Sequence, residues 1–349
     1  MNKNVKLISS AVLGLIVNLS VSTAANAGSF SFGLWGDMPY AKNGDGLKNG
    51  EKMTRLVDSM NAANLAFTIF DGDTKDGSSV CSDNALGQES IDFFNSVQAP
   101  TVYVLGDNEW TDCHRINNGG YNNLERLDYL RQTMFADDFS FGQTKMKLHR
   151  QGPAQGLYAE NSRWAHGNVV FVTLNVPGSN NNKVNDGACI DAAKSVRTQV
   201  ECDADNAEYL ARDAANIAFL RESFQIAKKR NAAGLMVVIQ ADPVFDLPET
   251  ESVNERTTVV DGLPAHDGYD AFLAALTEET NAFSGQVVMI HGDTHFYKVD
   301  KPLISQANLV KNFSRVETFG SPNLHWIKVS VNSKNPNVFS FEPMIVPGN

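Results

Sequence analysis

The segment Ala66-Phe67-Thr68-Ile69-Phe70-Asp71-Gly72-Asp73 decides the fold, because it joins an apolar run directly to an acidic turn. The run is rich in residues that favour strands, so we predict a β-strand over 66–70. The same pattern stands on both sides: 30–35 leads into Gly36-Asp37, and 101–105 leads into Gly106-Asp107. Helically spaced apolar residues fill the intervals. Alternating strands and helices predict parallel strands and an α/β fold.

Two apolar runs further along the chain also end in polar residues. Residues 235–240 lead into Gln240-Ala241-Asp242-Pro243, and 286–290 lead into His291-Gly292-Asp293-Thr294-His295. Because ligands bind at the carboxyl ends of parallel strands, we expect five such ends to converge. One Gly-Asp pair is an ordinary turn. Several clustered carboxylates repel one another unless cations neutralise them, so the repetition favours a metal site.

The remaining elements complete a layered α/β sandwich. We predict a strand at 168–175, a helix at 270–283 and antiparallel strands from Arg315 onward. A long helix is predicted at 206–230. Its expected buried face consists of Leu210, Ala214, Ile217, Phe224 and Ile226.

The composition is that of a packed, acidic protein. The chain has 349 residues, of which 42% are hydrophobic and 20% are charged, which excludes wholesale disorder. Forty acidic and 29 basic residues give a net charge of −11. Such a chain would be repelled by a phosphate backbone, so we expect no binding along nucleic acid. No repeat or linker divides 28–349, which we predict to be one domain.

The first 27 residues have the pattern of an export signal. Lys3 and Lys6 precede a mostly apolar run, and Ala25-Asn26-Ala27 suits a signal peptidase. The run is short and interrupted for a spanning helix, although a membrane anchor is the alternative. We therefore predict a signal peptide at 1–27, and a periplasmic or secreted protein without a membrane span.

The four cysteines follow this segment. An even number in an oxidising compartment indicates two disulfides, and four cysteines allow three pairings. Because a short stretch separates Cys189 from Cys202, we predict that they pair with each other and that Cys81 pairs with Cys113. Four reduced thiols are the alternative, and the absence of a CxxC motif disfavours a zinc site.

In order and placement, the polar strand ends resemble the calcineurin-like metallophosphoesterase family. That family carries Asp-x-His, Gly-Asp-x-x-Asp, Gly-Asn-His-Asp/Glu, a lone His and Gly-His-x-His. The matching stretches here are Gly36-Asp37-Met38-Pro39, Gly72-Asp73-Thr74-Lys75-Asp76, Gly106-Asp107-Asn108-Glu109, Gln240 and Gly292-Asp293-Thr294-His295. The resemblance implies an αββα-type sandwich with mixed sheets and flanking helices, and it implies two divalent metal ions. Asp37, Asp73 and His295 would hold the first, and Asp73 would bridge to a second held by Asp107, Gln240 and Asp293.

In the departures from the family pattern, imidazole nitrogens are exchanged for oxygen ligands. Pro39 replaces a family His and cannot ligate, whereas Asp107 replaces Asn. Asn108 replaces the His that contacts phosphate in the family, and Gln240 and Asp293 replace two His ligands. Five of the six expected ligands then offer oxygen, which favours Mn²⁺, Mg²⁺ or Ca²⁺ over Zn²⁺.

The resemblance implies hydrolysis of phosphate mono- or diesters by metal-activated water. The four aspartates carry four negative charges, which two divalent ions would neutralise. Because a neutral centre attracts phosphate less, we expect a separate cation, either Arg115 or Lys75, to bind the substrate. Asn108 can donate a hydrogen bond but no proton near neutral pH, so we predict that His114 protonates the leaving group. A surface position for His114 and Arg115, and a solvated one for Lys75, are the alternatives.

Two other classes of function compete with hydrolysis. The substitutions at Pro39 and Asn108 fit a non-catalytic relative that retains metal for stability or binds a partner. A surface or matrix-binding protein would need no metal, and its strand ends would be acidic turns. Metal dependence and turnover separate the three.

Overall fold

A computed structural model describes residues 29–185, 189, 193–245, 259–260, 263–302 and 310–349. The predicted signal peptide at 1–27 lies outside the described residues. Within the described ranges, no helix has the length and hydropathy needed to cross a bilayer.

The strands form two large mixed sheets and one small hairpin. In chain order they are β1 (Ser29–Trp35), β2 (Thr68–Phe70), β3 (Thr101–Tyr103), β4 (His149–Arg150), β5 (Ser162–His166), β6 (Val169–Thr173), β7 (Gly234–Val238), β8 (Val259–Val260), β9 (Leu263–Pro264), β10 (Gln286–His291), β11 (Lys298–Asp300), β12 (Phe313–Glu317), β13 (Trp326–Asn332) and β14 (Phe339–Met344).

Each large sheet combines parallel and antiparallel strands: the antiparallel strands lie on one side of the first sheet and on both sides of the second. The first has the order β14-β13-β1-β2-β3, with β1, β2 and β3 parallel. The second has the order β11-β12-β10-β7-β6-β5-β4, with β6, β7, β10 and β12 parallel. Their parallel strands give each sheet one edge at which several carboxyl ends gather.

Helices cover the outer face of both sheets. The helix Glu51–Asn61 follows Gly50 and buries Met53, Leu56, Val57 and Met60, which recur at helical spacing. A capping box of Thr198 and Glu201 begins the long helix Gln199–Lys229. The remaining helices are Asp83–Leu86, Gln88–Asn95, Asn123–Met134 and Asp270–Asn281.

Three apolar clusters separate four layers. The inner cluster lies between the sheets and joins Phe32 and Ile69 of the first to Phe171 and Met236 of the second. The other two pack helices against the outer faces. The predicted αββα sandwich with mixed sheets is therefore confirmed.

Two details of the expected fold need correction. The antiparallel strands predicted from Arg315 onward are confirmed for β13 and β14, whereas β12, which contains Arg315, pairs parallel with β10 and antiparallel with β11. Leu210 is 66% exposed. The helix instead buries Arg212 and Asn216, because both donate to the carbonyl oxygen of Asn175, and Arg212 also donates to the side-chain oxygen of Asn181.

Both predicted disulfides are present. Cys81 is bonded to Cys113, and Cys189 is bonded to Cys202. The first ties the loop after β2 to the loop after β3, at the edge where the polar strand ends gather. Two disulfides are typical of proteins that mature in oxidising compartments.

Candidate metal centre

The expected ligands gather where the carboxyl ends of the two sheets meet. Asp37, Asp73 and Asp107 follow β1, β2 and β3, while Gln240 and Asp293 follow β7 and β10. The first four are at most 7% exposed. The five residues come from both sheets, so only the stacking of the sheets brings them together.

One group within this cluster forms around Asp37. His295 Nε2 lies 3.4 Å from Asp37 Oδ1. The backbone N–H of Asp293 donates to both Asp37 oxygens, at 3.1 and 3.2 Å. His295 Nδ1 donates to the carbonyl oxygen of Ser321 at 2.8 Å, which leaves Nε2 as the ring atom aimed at the cluster.

A second group forms around Gln240. Its Nε2 donates to Asp107 Oδ1 at 3.3 Å and to Asp293 Oδ1 at 3.4 Å. Its Oε1 accepts from the backbone N–H of Gly178 at 2.6 Å. In this orientation Gln240 presents its nitrogen to the carboxylates and holds Asp107 and Asp293 in place. Its oxygen is turned toward Gly178, so it is not available to a metal ion beside the two carboxylates.

Asp73 is held by neighbours that sequence reasoning did not assign to it. Tyr40 donates its hydroxyl to Asp73 Oδ2 at 2.7 Å. The backbone N–H of Asn108 donates to Asp73 Oδ1 at 3.1 Å, and Asn108 Nδ2 donates to Oδ2. Asn108 thus fixes the orientation of Asp73. Glu109 accepts from the backbone N–H groups of Thr74 and Gly106, so it supports the two loops.

The backbone at four of the expected ligands is left-handed. Asp37, Asp73, Asp293 and His295 have φ angles of 51°, 60°, 71° and 69°. Residues with a Cβ rarely adopt this conformation, although Asp and His do so more often than most, and such residues concentrate at functional sites. Gly106, directly before Asp107, is required by close packing and not by its backbone angles, because a Cβ at this position would lie 2.0 Å from Asp73 Oδ1.

Burial makes the charged form of these carboxylates costly. It raises the pKa of Asp37, and it raises the pKa values of Asp73 and Asp293 well above the ordinary 3.8. Repulsion from Asp107 adds to each of the three increases. Within the described residues, no lysine or arginine forms an ion pair with the four aspartates. Cations would therefore stabilise this cluster.

The donor set fits divalent metal ions. Asp37 and His295 form one set of donors, and Asp107 and Asp293, linked by Gln240, form another. That Asp73 bridges the two sets stays a prediction, and Gln240 would have to turn its amide to contribute oxygen. Carboxylates with one imidazole suit Mn²⁺, Mg²⁺ or Ca²⁺.

The cluster opens on a cleft of about 1070 Å³, which Asp293 lines together with Arg115 and His114. Arg115 forms an ion pair with Asp112 and donates to Ser179 Oγ at 3.3 Å. Ser179 Oγ lies 2.9 Å from Asp107 Oδ2, so Arg115 reaches the edge of the cluster.

His114 and Lys75 lie in environments that do not suit their expected roles. Burial, Arg197 and Arg115 lower the pKa of His114 to about 3, so its imidazole is neutral near pH 7 and a poor proton donor. Its Nδ1 lies 2.7 Å from Ser195 Oγ. Lys75 is 5% exposed and lines a different cavity, so it does not face the cleft.

Sequence reasoning missed Gly178 and Ser179 as parts of the site, and it considered Tyr40 only as a possible wall of the pocket. Ser179 begins four consecutive residues with φ between 52° and 61°. The only signal was the Asn180-Asn181-Asn182 run, since Asn tolerates left-handed backbone. Nothing in the sequence placed that run beside Asp107.

Fold and cluster define a four-layer α/β protein with a buried acidic centre at its strand ends. Among solved structures, "GAP50 the anchor in the inner membrane complex of Plasmodium" is 12% identical with a TM-score of 0.44, over 92% of this chain and 90% of that chain. The sulfate thiohydrolase SoxB of Thermus thermophilus is 11% identical with a TM-score of 0.41, over 84% of this chain and 42% of that chain.

A 5'-nucleotidase from Candida albicans is 12% identical with a TM-score of 0.43, over 90% of this chain and 50% of that chain. The chain thus spans half or less of the latter two proteins. No family model and no curated protein matches it.

Proposed function

We propose that this protein is an exported, metal-dependent phosphoesterase that hydrolyses phosphate mono- or diesters. The observation that supports it best is the convergence of Asp37, Asp73, Asp107 and Asp293 beside a wide cleft. Divalent ions at such a centre supply Lewis acidity, which activates water and stabilises charge on phosphoryl oxygens. Export agrees with the two disulfides.

The chain's own residues orient the centre and the substrate. Asn108 and Tyr40 fix both oxygens of Asp73, and Gln240 fixes Asp107 against Asp293. Arg115 is the cation that would bind the phosphate, because it lines the cleft and its guanidinium is anchored by Asp112. Since the environment of His114 keeps its imidazole neutral, esters with good leaving groups should react best.

Turnover of nitrophenyl phosphate mono- and diesters tests the proposal. We expect activity with added Mn²⁺, Mg²⁺ or Ca²⁺ and its loss in chelator. Asp73→Asn should lower kcat/KM by about 100-fold or more, because it removes charge between the two donor sets. Asp128→Asn, on an exposed helix surface, is the matched control and should leave turnover unchanged.

A non-catalytic, metal-retaining protein is the second candidate. The commitment of Asn108 to Asp73 and the neutral imidazole of His114 favour it, because neither group would then assist a leaving group. Metal binding without turnover of any ester would select this candidate. A chain that binds no divalent ion would contradict both.

A further inference from the structure

A second polar group lies at the carboxyl ends of three neighbouring strands of the second sheet. His291 is the last residue of β10, and Glu317 is the last residue of β12. The two are paired across the sheet, and Asp242 follows β7, on the other side of β10. One potential ligand atom of each lies within 4.8 Å of the other two. His291 and Glu317 are fully buried, and Asp242 is half-buried.

One ring nitrogen of His291 lies within 4.8 Å of an oxygen of each acid. Nδ1 lies 2.9 Å from the carbonyl oxygen of Gly292, which can only accept, so Nδ1 carries the hydrogen. In the neutral ring Nε2 is then an acceptor, and it is buried with no hydrogen-bond partner within the described ranges. A buried lone pair close to two carboxylates is unfavourable unless a cation lies among them.

Neighbouring groups hold the two carboxylates in place. Glu317 Oε1 accepts from Thr294 Oγ1 at 2.7 Å and from the backbone N–H of Phe296. Asp242 Oδ1 accepts from the backbone N–H of Val244 at 2.9 Å. Ligands oriented by such outer hydrogen bonds are typical of metal sites in proteins.

The nearby basic side chains leave part of the negative charge uncompensated. Lys298 Nζ lies 3.0 Å from Glu317 Oε2, and its side chain is 38% exposed. Arg315 forms its ion pair with Asp300 instead. Two carboxylates and one paired lysine leave a single negative charge, and the imidazole donor adds none.

We propose that Asp242, His291 and Glu317 bind a divalent transition-metal ion. One imidazole nitrogen with two carboxylates suits Zn²⁺ or Mn²⁺ and disfavours Mg²⁺. Asp242 and Thr294 both line the cleft, so an ion can enter from it. This site differs from the Asp37 cluster and does not depend on the proposed phosphoesterase activity, although the Asp242 N–H donates to Asp293 at 3.2 Å.

Metal stoichiometry of the full-length chain tests the proposal. Metal-free protein is dialysed against Zn²⁺, and bound zinc is measured by mass spectrometry. Glu317→Gln and His291→Gln should each lose one equivalent of zinc, and Asp37→Asn should retain that equivalent. His149→Gln, on exposed β4, is the matched control. Unchanged stoichiometry in both triad variants would overturn the site.

Lys298→Gln gives a test that does not depend on stability. Because it removes a cation that competes with the ion, it should tighten Zn²⁺ binding by about two- to fivefold. A variant that binds Zn²⁺ equally or more weakly would overturn the proposal.

Discussion

At the residue scale, single hydrogen bonds decide which atoms of the centre face the metal. Asp73 would bridge the two donor sets, yet each of its oxygens also accepts from Asn108, and Oδ2 accepts from Tyr40. The Tyr40 hydroxyl itself accepts from Asn108 Nδ2 at 3.1 Å. Tyr40 is therefore a positioning residue for the bridging carboxylate.

Tyr40→Phe should lower kcat more than it raises KM, because it leaves the ring packed and frees Asp73 to rotate. We expect about a tenfold loss of kcat and about 1 kcal/mol of stability. Steady-state kinetics and denaturant unfolding measure the two.

The matched control for this prediction is Tyr129→Phe. Tyr129 donates its hydroxyl to the Asp83 carbonyl on the protein surface, so its loss should affect stability alone. Equal kinetics for both variants would contradict the role of Tyr40.

At the scale of elements, the left-handed turn at 179–182 connects the second sheet to the centre. The N–H of Gly178, directly before the turn, fixes Gln240, and the Ser179 hydroxyl contacts Asp107 and Asp112. Asn181 accepts from the buried Arg212 at 2.6 Å. Such a backbone costs energy, and these contacts offset that cost.

Ser179→Gly and Ser179→Ala separate the hydroxyl from the backbone strain. Both lose the contacts with Asp107 and Asp112, so both should lower activity to a similar extent. Ser179→Gly should be more stable than Ser179→Ala by about 1 kcal/mol, because glycine has no Cβ to strain at a φ of 52°. Equal unfolding free energies would show that this turn relaxes.

At the scale of the whole molecule, the protein concentrates its acidity where the sheets meet. The pKa values of Asp37, Asp73 and Asp293 are raised in the folded state, so the fold retains protons that the unfolded chain has lost. The free energy of unfolding of the metal-free protein therefore loses this contribution as pH rises above the ordinary 3.8. Bound divalent ions would remove the penalty, since they require the deprotonated form.

The rise in Tm that Mn²⁺ produces should accordingly be larger near pH 7.5 than near pH 5.5. The difference in Tm between metal-loaded and chelator-treated protein at each pH removes the contributions of titrating groups remote from the centre. Thermal unfolding, monitored by circular dichroism, gives both Tm values. The Asp37→Asn variant should show a smaller gain, and a gain independent of pH would contradict carboxylate ligation.

Much of the centre could be predicted because its signals are local. Each apolar run followed at once by Gly-Asp identifies a strand and the residue at its end, as at Asp37 and Asp107. The buried face of the long helix could not be predicted, because polar partners from distant segments bury Arg212 in place of Leu210.

Sequence patterns predicted the central strands, a layered α/β sandwich, the pairing of the cysteines and the aspartates at the strand ends. The strands and the aspartates that follow them are marked by patterns within a few residues of one another. Only the tertiary structure decided the amide orientation of Gln240, the environment of His114, the left-handed turn beside Asp107 and the approach of Asp242 to His291 and Glu317. Each of these depends on contacts between segments far apart in the chain, and such contacts exist only once the two sheets have packed together.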